Sequence, residues 1–502
     1  MKISYKSLDF LSLSWLAIGI VIFLLGWCKW WISVPVVLLM CSSIFEIWKK
    51  DSTKTVEISK YHFWTAFAIC FILMMLCGIG GYVVQSNDNY WRNAMFRDLV
   101  NYSWPVYDAV TDLTKSYYIA FWMVPALIAK ITSSIEIGFL SQLLWITCGF
   151  QLLFLQMCRW MGKSRVSYLW FFYFFSGLKI AECLLYLPIF GEGSWVHSMI
   201  EIVSTNGSPG DFHAGPMSQL LYDPFNQTIP LFLIMMLMIN NSWSRSLPFI
   251  YSLLLLYAPF PMVGLAPLFI YWWFRNIFGE HTSTDRLRYV INVQNITAVL
   301  VLAVTAIYLM SNNQSGNKGL REIVSLPASL WGFIVYFAFE FGILLAISYK
   351  ASRDHVALWI VIISTAIMGW FKIGLHNDFC FRTNMPLIFI TMLLVMRCYY
   401  MTSTNRKLRF FIIGWYILAG IPSETHPTMR WLSSLCIITG TPQSELNNVQ
   451  HLTDVTKLYV MQQHKLRNDD LPSSFRCRPA QYQFRTDVGT KDSFFFKYIA
   501  KQ

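Results

Sequence analysis

Charged residues are scarce in this chain: Asp, Glu, Lys and Arg make up 13% of its 502 residues, whereas 55% are hydrophobic. A soluble domain carries roughly 25% charged residues, so the composition excludes a large soluble domain. Continuous apolar runs stand in its place, close to the ~20 residues that cross a bilayer core. Clear runs lie at positions 11–27, 63–84, 290–310, 330–348 and 358–374. They predict an all-α, polytopic transmembrane helical bundle with about 13–15 membrane segments.

Other signals are also missing. No small-residue cleavage site follows the first apolar run, so we expect a retained helix rather than a signal peptide. The eleven cysteines show no metal-ligand or disulfide framework, and only Cys436 and Cys477 are candidates for a disulfide. No internal repeat relates the two halves of the chain, which weakens an interpretation as a transporter.

The net charge of +12 does not indicate a nucleic-acid partner, because the basic residues lie in short loops where they orient helices. Clusters of lysines lie before the first apolar run and after the second. Because basic residues favour the cytoplasmic side, these clusters place the N-terminus in the cytoplasm and the segment 85–115 on the outer side. Later basic loops agree if the run 166–190 forms two short helices, broken near Ser176-Gly177. One conflict remains, since Arg159, Lys163 and Arg165 then face outward.

The pattern divides the chain into three parts. Residues 1–60 form two N-terminal transmembrane helices, residues 61–421 form the transmembrane core, and residues 422–502 form an outer-side tail. The outer loops of the core are rich in polar and aromatic residues. They comprise residues 85–115, 191–227 and 375–384.

The first outer loop contains the main catalytic candidate, Asp88, close to the end of a span. From Trp91 to Val100 the apolar residues recur with nearly helical spacing, which predicts a lateral amphipathic helix at the membrane surface. Asp88 and Arg92 share a face if this helix begins early, and Asp98 lies further along it. In the alternative interpretation, the acidic residue caps the helix and the arginines contact lipid phosphates.

The other two outer loops supply candidate binding residues. Asn226 and Gln227 precede an apolar span, where each amide offers hydrogen-bond donors and acceptors, or where Asn226 simply caps the helix. Arg382 has the planar fork that matches paired phosphate oxygens, and Asp378 lies four residues before it. A surface ion pair that anchors the helix end is the alternative for these two residues.

Glu340 lies in the middle of an apolar run, where an ionisable side chain is costly and is by default a functional candidate. A neutral carboxyl group that hydrogen-bonds to a neighbouring helix is the alternative. Lys179 and Glu182, three residues apart in the broken run, form a pair that could satisfy itself. The isolated histidines show no metal-ligand spacing, so no metal site is predicted.

Taken in order, these motifs resemble the membrane glycosyltransferases of the GT-C fold, and more closely a poorly characterised bacterial group of GT-C-like proteins. The resemblance runs from about residue 85 to the C-terminus. Its pieces are Asn87-Asp88 with Asp98, Trp104-Pro105-Val106, Phe175-Ser176-Gly177-Leu178, Asn226-Gln227-Thr228-Ile229-Pro230, Asn377-Asp378-Phe379 with Arg382 and Pro386, and Asp492-Ser493-Phe494-Phe495-Phe496-Lys497-Tyr498.

The resemblance implies an inverting transfer of sugar from a polyprenyl-phosphate donor to a glycan, lipid or protein acceptor of the cell envelope. It places the chain in the bacterial cytoplasmic membrane, with its chemistry on the outer face. Asp88 matches the catalytic acid by position, and the polar residues named above would bind substrate. Two spans precede the usual first helix, and no adjacent acidic pair follows it. We therefore expect no cofactor, although a divalent cation stays an alternative.

Two other functions compete with this interpretation. A glycolipid flippase or transporter would use the same outer polar residues to hold a headgroup without chemistry. A polysaccharide polymerase or ligase would use a related fold, but typically with a large outer loop and paired arginines, and the sequence shows no such loop.

Overall fold

A computed structural model describes residues 1–49, 53–83, 87–108, 112–190, 212, 214–279, 282–312, 322–323, 326–372, 377–401, 403, 405–423 and 488–501. Within these ranges the side chains of Asn87, Asp88, Tyr90 and Trp91 are not described, nor are some others. Most of the loop 191–227, part of the loop 375–384, both tail cysteines and most of the tail lie outside the described residues.

The described chain is mostly helical and confirms the all-α membrane protein. Among the described residues, six helices are long and apolar enough to cross a membrane, at Tyr5–Trp27, Trp30–Lys49, Ile135–Met161, Thr284–Met310, Leu330–Ala351 and Asp378–Tyr400. Shorter apolar helices lie at Lys60–Leu76, Ala120–Thr132, Phe225–Asn240 and His355–Met368. The total of 13–15 membrane segments stays a prediction.

The remaining α-helices are mostly shorter. They lie at Asn87–Asn101, Ser167–Tyr173, Lys179–Phe190, Met217–Tyr222, Leu247–Ser252, Pro259–Phe278, Arg406–Trp415 and Ile421–Ser423. Three of the long helical stretches are made up of shorter regular segments, namely Ser283–Val290 and Val293–Met310, Leu326–Phe337 and Ile343–Ser348, and Asp378–Thr383 and Met385–Tyr400. The π-helical turns are Ala338–Gly342, Tyr416–Gly420 and Phe495–Ile499, and a 3-10 turn spans Tyr349–Ala351.

Short antiparallel strands join loops at the two ends of the bundle. Lys2–Ser4 pairs with Thr55–Glu57, and Glu322–Ile323 pairs with Phe371–Lys372. In a three-stranded sheet, Leu113–Lys115 lies between Tyr107–Asp108 and Val488–Gly489. This sheet joins the first outer loop to the last described residues of the chain.

The basic cluster at residues 159–165 lies beside the start of the first helix. Arg159 Nη1 is 2.5 Å from Asp9 Oδ1, and Ser164 Oγ is 2.9 Å from His62 Nδ1. We call this region of the bundle, with Asp9, His62 and residues 159–165, the basic end. The expectation that this cluster lies on the opposite side from the N-terminus is therefore wrong, and its conflict with the charge rule disappears.

The opposite end of the bundle is marked by Trp27 and Trp104, whose ring centroids are 5.3 Å apart. The first helix has 23 residues, so its two ends are separated by about 33 Å. At this end the Lys501 amide donates to the Trp27 carbonyl at 2.8 Å. The described part of the tail thus packs against the first helix and the first outer loop.

A half-length helix is the reason why the basic cluster lies on the same side as the N-terminus. Helix Ala120–Thr132 has 13 residues, or about 20 Å. Its first residue, Ala120, lies against Gly19 in the middle of the first helix. A Cβ atom at position 19 would overlap the Ala120 carbonyl group. The last turn of Ala120–Thr132 reaches the end of the bundle that is marked by Trp27 and Trp104, where Lys130 Nζ donates a hydrogen bond to Tyr102 O at 2.6 Å. It therefore does not cross, and the next helix, Ile135–Met161, returns the chain to the basic end.

The run 166–190 is broken as predicted: one helix ends at Tyr173, and the next begins at Lys179. The two pieces are, however, one broken crossing rather than two. Ser167 Oγ lies 2.6 Å from the Tyr400 hydroxyl, on the helix that carries Arg397 at the basic end. Beyond the break, the carbonyl group of Leu185 accepts a hydrogen bond from Trp331 Nε1 at 3.4 Å. Trp331 lies near the start of the stretch Leu330–Ala351, whose other end is at the basic end, so Leu185 lies far from the basic end.

The helix predicted in the first outer loop is present at Asn87–Asn101, but its surface position is not observed. Every side chain from Arg92 to Leu99 is buried, including Arg97 and Asp98. One face packs on the neighbouring helices, where the Phe96 and Phe139 centroids are 5.3 Å apart. The polar face is also covered by protein, so its residues cannot lie among lipid headgroups. Spacing alone does not distinguish these two environments for a polar helix face.

Candidate functional site

The Tyr118 hydroxyl joins three distant segments of the chain. Gln227 Nε2 and Arg382 Nη1 each donate a hydrogen bond to it at 3.0 Å. The Tyr117 hydroxyl also donates to it, and the two phenol rings are stacked. Both tyrosines lie between the strand Leu113–Lys115 and the half-length helix that begins at Ala120. The position at which that helix begins within the bundle therefore determines how deep in the bundle the Tyr118 hydroxyl lies.

Arg382 is held by its own short helix, Asp378–Thr383. The side chain of Asn377 caps this helix by accepting from Cys380 N at 3.4 Å, with its backbone in the left-handed region. One turn later, Arg382 Nη2 lies 3.5 Å from Asp378 Oδ1. The arginine side chain is 15% exposed and the aspartate side chain 50%. The guanidinium group is thus oriented inside the protein, while its carboxylate partner opens toward the surroundings.

Asn226 and Gln227 lie at the start of helix Phe225–Asn240, and each is only 1% exposed. Among the described residues, both amide atoms of Asn226 and the Oε1 atom of Gln227 have no hydrogen-bond partner. Leaving a buried polar group unpaired costs on the order of 1–3 kcal/mol, so such groups usually have a partner of some kind. These amides are therefore available to a bound polar molecule.

Arg92 brings a second guanidinium group to the same place from helix Asn87–Asn101. Its Cζ atom lies 5.7 Å from the centroid of the Phe225 ring, next to Asn226. The Tyr117 phenol is close enough to Arg92 and Arg382 for both positive charges to interact with it. Burial raises the pKa of the Tyr117 phenol well above its ordinary value, with Tyr118 adding to the shift, so Tyr117 stays a neutral donor.

We call this group the Tyr118 cluster. Its members are Arg92, Tyr117, Tyr118, Asn226, Gln227, Asp378 and Arg382. Five of the residues predicted as substrate-binding thus meet, although they come from three separate loops. The cluster combines two guanidinium groups, one carboxylate and amides with free hydrogen-bonding capacity. This combination is suited to a ligand that carries both phosphate and hydroxyl groups.

The catalytic candidate Asp88 lies in the first turn of the helix that carries Arg92, four positions before it. Its side chain is outside the described part of the structure, so its role stays a prediction. In the same turn, Asn89 is 2% exposed, and its Nδ2 atom has no partner among the described residues. Asp98 is buried six positions beyond Arg92, about 9 Å further along the helix, and is not a member of the cluster.

Glu340 belongs to a second buried group, which we call the Lys179 triad: Lys179, Glu182 and Glu340. Lys179 Nζ donates to Glu340 Oε1 and to the carbonyl of Ala214, and it lies 3.9 Å from Glu182 Oε2. The expectation that Lys179 and Glu182 satisfy each other is therefore incomplete, because Glu340 is the closer partner. The Glu340 carboxylate lies against Gly177, and any Cβ atom at position 177 would overlap it.

The two clusters are neighbours rather than one site. Asn384, two residues after Arg382, donates from Nδ2 to the Tyr336 hydroxyl at 2.6 Å. The Tyr336 phenol is in turn close enough to Glu182 and Glu340 for both carboxylates of the triad to interact with it electrostatically. The described residues show no direct contact between Glu340 and Arg382, and the role of Glu340 in binding substrate stays a prediction.

The sequence pattern does not predict Tyr117 and Tyr118 as site residues. They directly follow the polar pair Lys115-Ser116, and they precede an apolar helix. Tyrosine in this position is typical of the membrane-interface belt, so nothing in the local pattern separates a ligand-site tyrosine from an anchor. Only the contacts with Gln227 and Arg382, 109 and 264 positions away, distinguish them.

No family model, curated protein or solved structure matches this chain. Its candidate site therefore rests on its own geometry. Among the described residues, no group of three or more His, Cys, Asp or Glu side chains could hold a metal ion. The absence of a cofactor stays a prediction.

Replacing Tyr118 with phenylalanine tests the centre of the cluster. The variant leaves Arg382 Nη1 and Gln227 Nε2 without their common acceptor, so we expect a loss of about 2 kcal/mol in unfolding free energy. Tyr251→Phe is the matched control, because within the described structure its hydroxyl makes one hydrogen bond, to Met262 O at 2.8 Å, so its loss should cost about 1 kcal/mol. Unfolding of the detergent-solubilised protein measures both. A smaller loss for Tyr118→Phe than for the control would contradict the shared hydrogen bonds.

Proposed function

We propose that this protein is a membrane glycosyltransferase with a GT-C-like bundle, which transfers a sugar from a polyprenyl-phosphate donor to a cell-envelope acceptor. The observation that best supports this proposal is the convergence of Arg92, Arg382, Asn226 and Gln227 around Tyr118. A phosphate needs cationic donors with fixed geometry, which the guanidinium groups provide. A sugar needs amide partners for its hydroxyl groups, and those of Asn226 are unpaired within the described structure.

The location of the cluster is consistent with outer-face chemistry. It lies at the mouth of helix Phe225–Asn240, whose other end reaches the basic end through Asn241 and Arg159. The two ends of this 16-residue helix are separated by about 24 Å. Basic residues favour the cytoplasmic side, so the proposal places the Tyr118 cluster near the outer face of the bacterial cytoplasmic membrane. Membrane lipids and the lipid-linked donor are then its immediate surroundings.

The proposed reaction is a single displacement with inversion at the sugar. The acceptor hydroxyl oxygen forms a bond to the anomeric carbon, while the bond from that carbon to the phosphate oxygen breaks. Asp88 takes the acceptor proton, and the carrier leaves as polyprenyl phosphate. Arg382, with Arg92, stabilises the negative charge that develops on the departing phosphate. Asn226 and Gln227 orient the sugar or the acceptor.

A lipid flippase is the second candidate, and the Lys179 triad favours it. Ionisable side chains within the membrane mark substrate or ion pathways, and transporters often place them at broken helices. Lys179 begins the second half of a broken helix, and Glu340 lies in a π-helical turn. A flippase would use the Tyr118 cluster to hold a glycolipid headgroup and would form no new bond.

Reconstituted liposomes separate the two candidates. Vesicles containing the purified chain, a radiolabelled polyprenyl-phosphate sugar and a set of envelope acceptors should form a labelled product with a new glycosidic bond. Label that changes leaflet without any such product would support the flippase and overturn the transferase.

Arg382→Gln provides the matched test of the site in this assay, with Arg397→Gln as its control. Loss of the Arg382 guanidinium should slow transfer about 100-fold, as expected for one donor to a developing anion. Arg397 lies in the same helical stretch at the basic end, where Nη1 bonds to Ala351 O at 2.6 Å, and its loss should change transfer less than threefold. Equal losses in both variants would remove Arg382 from the chemistry.

A further inference from the structure

The basic end contains a cavity of about 410 Å³, distant from the Tyr118 cluster. It lies between the first turns of the first helix, the end of helix Ile135–Met161 and the end of helix Phe225–Asn240. Gln227 in the Tyr118 cluster and Asn241 in this cavity are 14 positions apart along one helix and its C-cap, or about 21 Å. The two sites are therefore separate.

Among the described residues, four cations and one anion line the cavity, namely Lys6, Lys54, Arg159, Arg353 and Asp9. Four positive charges and one negative charge leave a net charge of +3 for this lining. Such an excess in one partly enclosed space attracts an anion and focuses its field there.

The carboxylate of Asp9 is already occupied by three donors. Arg159 Nη1 lies 2.5 Å from Oδ1, Gln156 Nε2 donates to Oδ1 at 3.1 Å, and Asn241 Nδ2 donates to Oδ2 at 3.3 Å. Asp9 and Arg159 therefore form a neutral, fixed wall of the cavity. Lys6 and Lys54 form no ion pair with a carboxylate of any described residue, so no described carboxylate compensates their charges.

The cavity also borders the apolar surface of the bundle. Leu13, Ile47 and Ile250 are part of its lining. The ammonium group of Lys6 lies 5.9 Å from the centroid of the Trp48 ring, and Trp48 is 41% exposed. Tryptophan with lysine is typical of the headgroup level of a bilayer. An amphiphilic anion can thus place its charge beside the lysines and its chains along the helices.

We propose that this cavity binds a phosphate-bearing anion, with Lys6 and Lys54 as the residues that recognise its charge. The anion is either the headgroup of an anionic phospholipid or a soluble phosphate compound. Basic pockets between helices at the cytoplasmic face of membrane proteins recognise such headgroups by the same electrostatics. The site does not depend on the function proposed for the Tyr118 cluster.

Binding of three probes to the full chain in detergent tests the proposal. Native mass spectrometry and thermal stabilisation are measured with phosphatidylglycerol, phosphatidylcholine and inorganic pyrophosphate. We expect phosphatidylglycerol or pyrophosphate to bind at least tenfold more tightly than zwitterionic phosphatidylcholine. Binding of phosphatidylglycerol identifies a lipid site, and binding of pyrophosphate alone identifies a site for a soluble ligand. No preference for either anion would overturn the proposal.

Paired lysine variants show whether the cavity itself is responsible. Lys6→Gln with Lys54→Gln should weaken anion binding by on the order of 25-fold, from about fivefold for each lysine near the anion. The control, Lys2→Gln with Lys49→Gln, removes the same charge from exposed lysines outside the cavity lining and should change binding less than threefold. Equal weakening in the two double variants would mean that only the overall positive charge attracts the anion, and would also overturn the proposal.

Discussion

Replacing Lys179 with methionine is expected to destabilise the bundle by about 3–5 kcal/mol, because it leaves Glu182 and Glu340 buried without their shared cation. Both carboxylates are almost inaccessible, at 0% and 3% side-chain exposure. Glu340→Gln should cost clearly less. In that variant Lys179 keeps Glu182 at 3.9 Å and the Ala214 carbonyl at 2.8 Å.

Unfolding of the detergent-solubilised variants measures this asymmetry. Lys49→Met is the matched control, since Lys49 is exposed and its loss should change the unfolding free energy by less than about 0.5 kcal/mol. The double variant with Lys179→Met and Glu340→Gln should recover part of the loss, because one buried carboxylate has been neutralised. If Glu340→Gln were as damaging as Lys179→Met, one lysine would not be serving two carboxylates.

Replacing Asp88 with asparagine is expected to abolish sugar transfer while leaving expression and membrane insertion intact. Under the proposed function, this variant removes the general base, and such groups contribute on the order of 100- to 10,000-fold to a rate. Position 88 lies in the first turn of the helix that carries Arg92, so an amide of the same size should preserve the helix. The rate of radiolabelled transfer in liposomes, with a matched donor and acceptor, measures the effect.

Asp112→Asn is the control for that experiment. Asp112 is exposed in the same outer loop and accepts a hydrogen bond from the Tyr107 hydroxyl at 2.7 Å. Its backbone lies in the left-handed region, with φ at 53°, which asparagine tolerates. We expect transfer within twofold of the unmodified protein. Normal turnover by Asp88→Asn would exclude Asp88 from the mechanism, even if the Tyr118 cluster still binds the donor.

Much of the candidate site could be predicted one loop at a time. Arg92, Asn226, Gln227, Asp378 and Arg382 are each predicted from nearby sequence, namely a polar residue next to an apolar run or a charged residue four positions from another. That contrast is local, so a single segment is sufficient to detect it. Their convergence was only a hypothesis, since no local pattern reports contacts between residues more than 100 positions apart.

The burial of helix Asn87–Asn101 shows the limit of the same reasoning. Its sequence alternates polar and apolar residues with helical spacing, which fits a membrane surface and also fits a polar protein interior. In the structure Arg92 lies over Phe225, and Asp98 is 3% exposed. Which environment surrounds the polar face depends on the neighbouring segments.

The apolar pattern of the sequence is sufficient to establish that the chain is helical and lies in a membrane, because continuous apolar runs cannot remain in water. It also determined that the run 166–190 is broken. In contrast, the packed bundle was needed to show that helix Ala120–Thr132 reaches half its depth and that Arg159 lies beside Asp9. Helix depth follows from packing against distant segments, as at Gly19, and a hydropathy pattern contains no information about that contact.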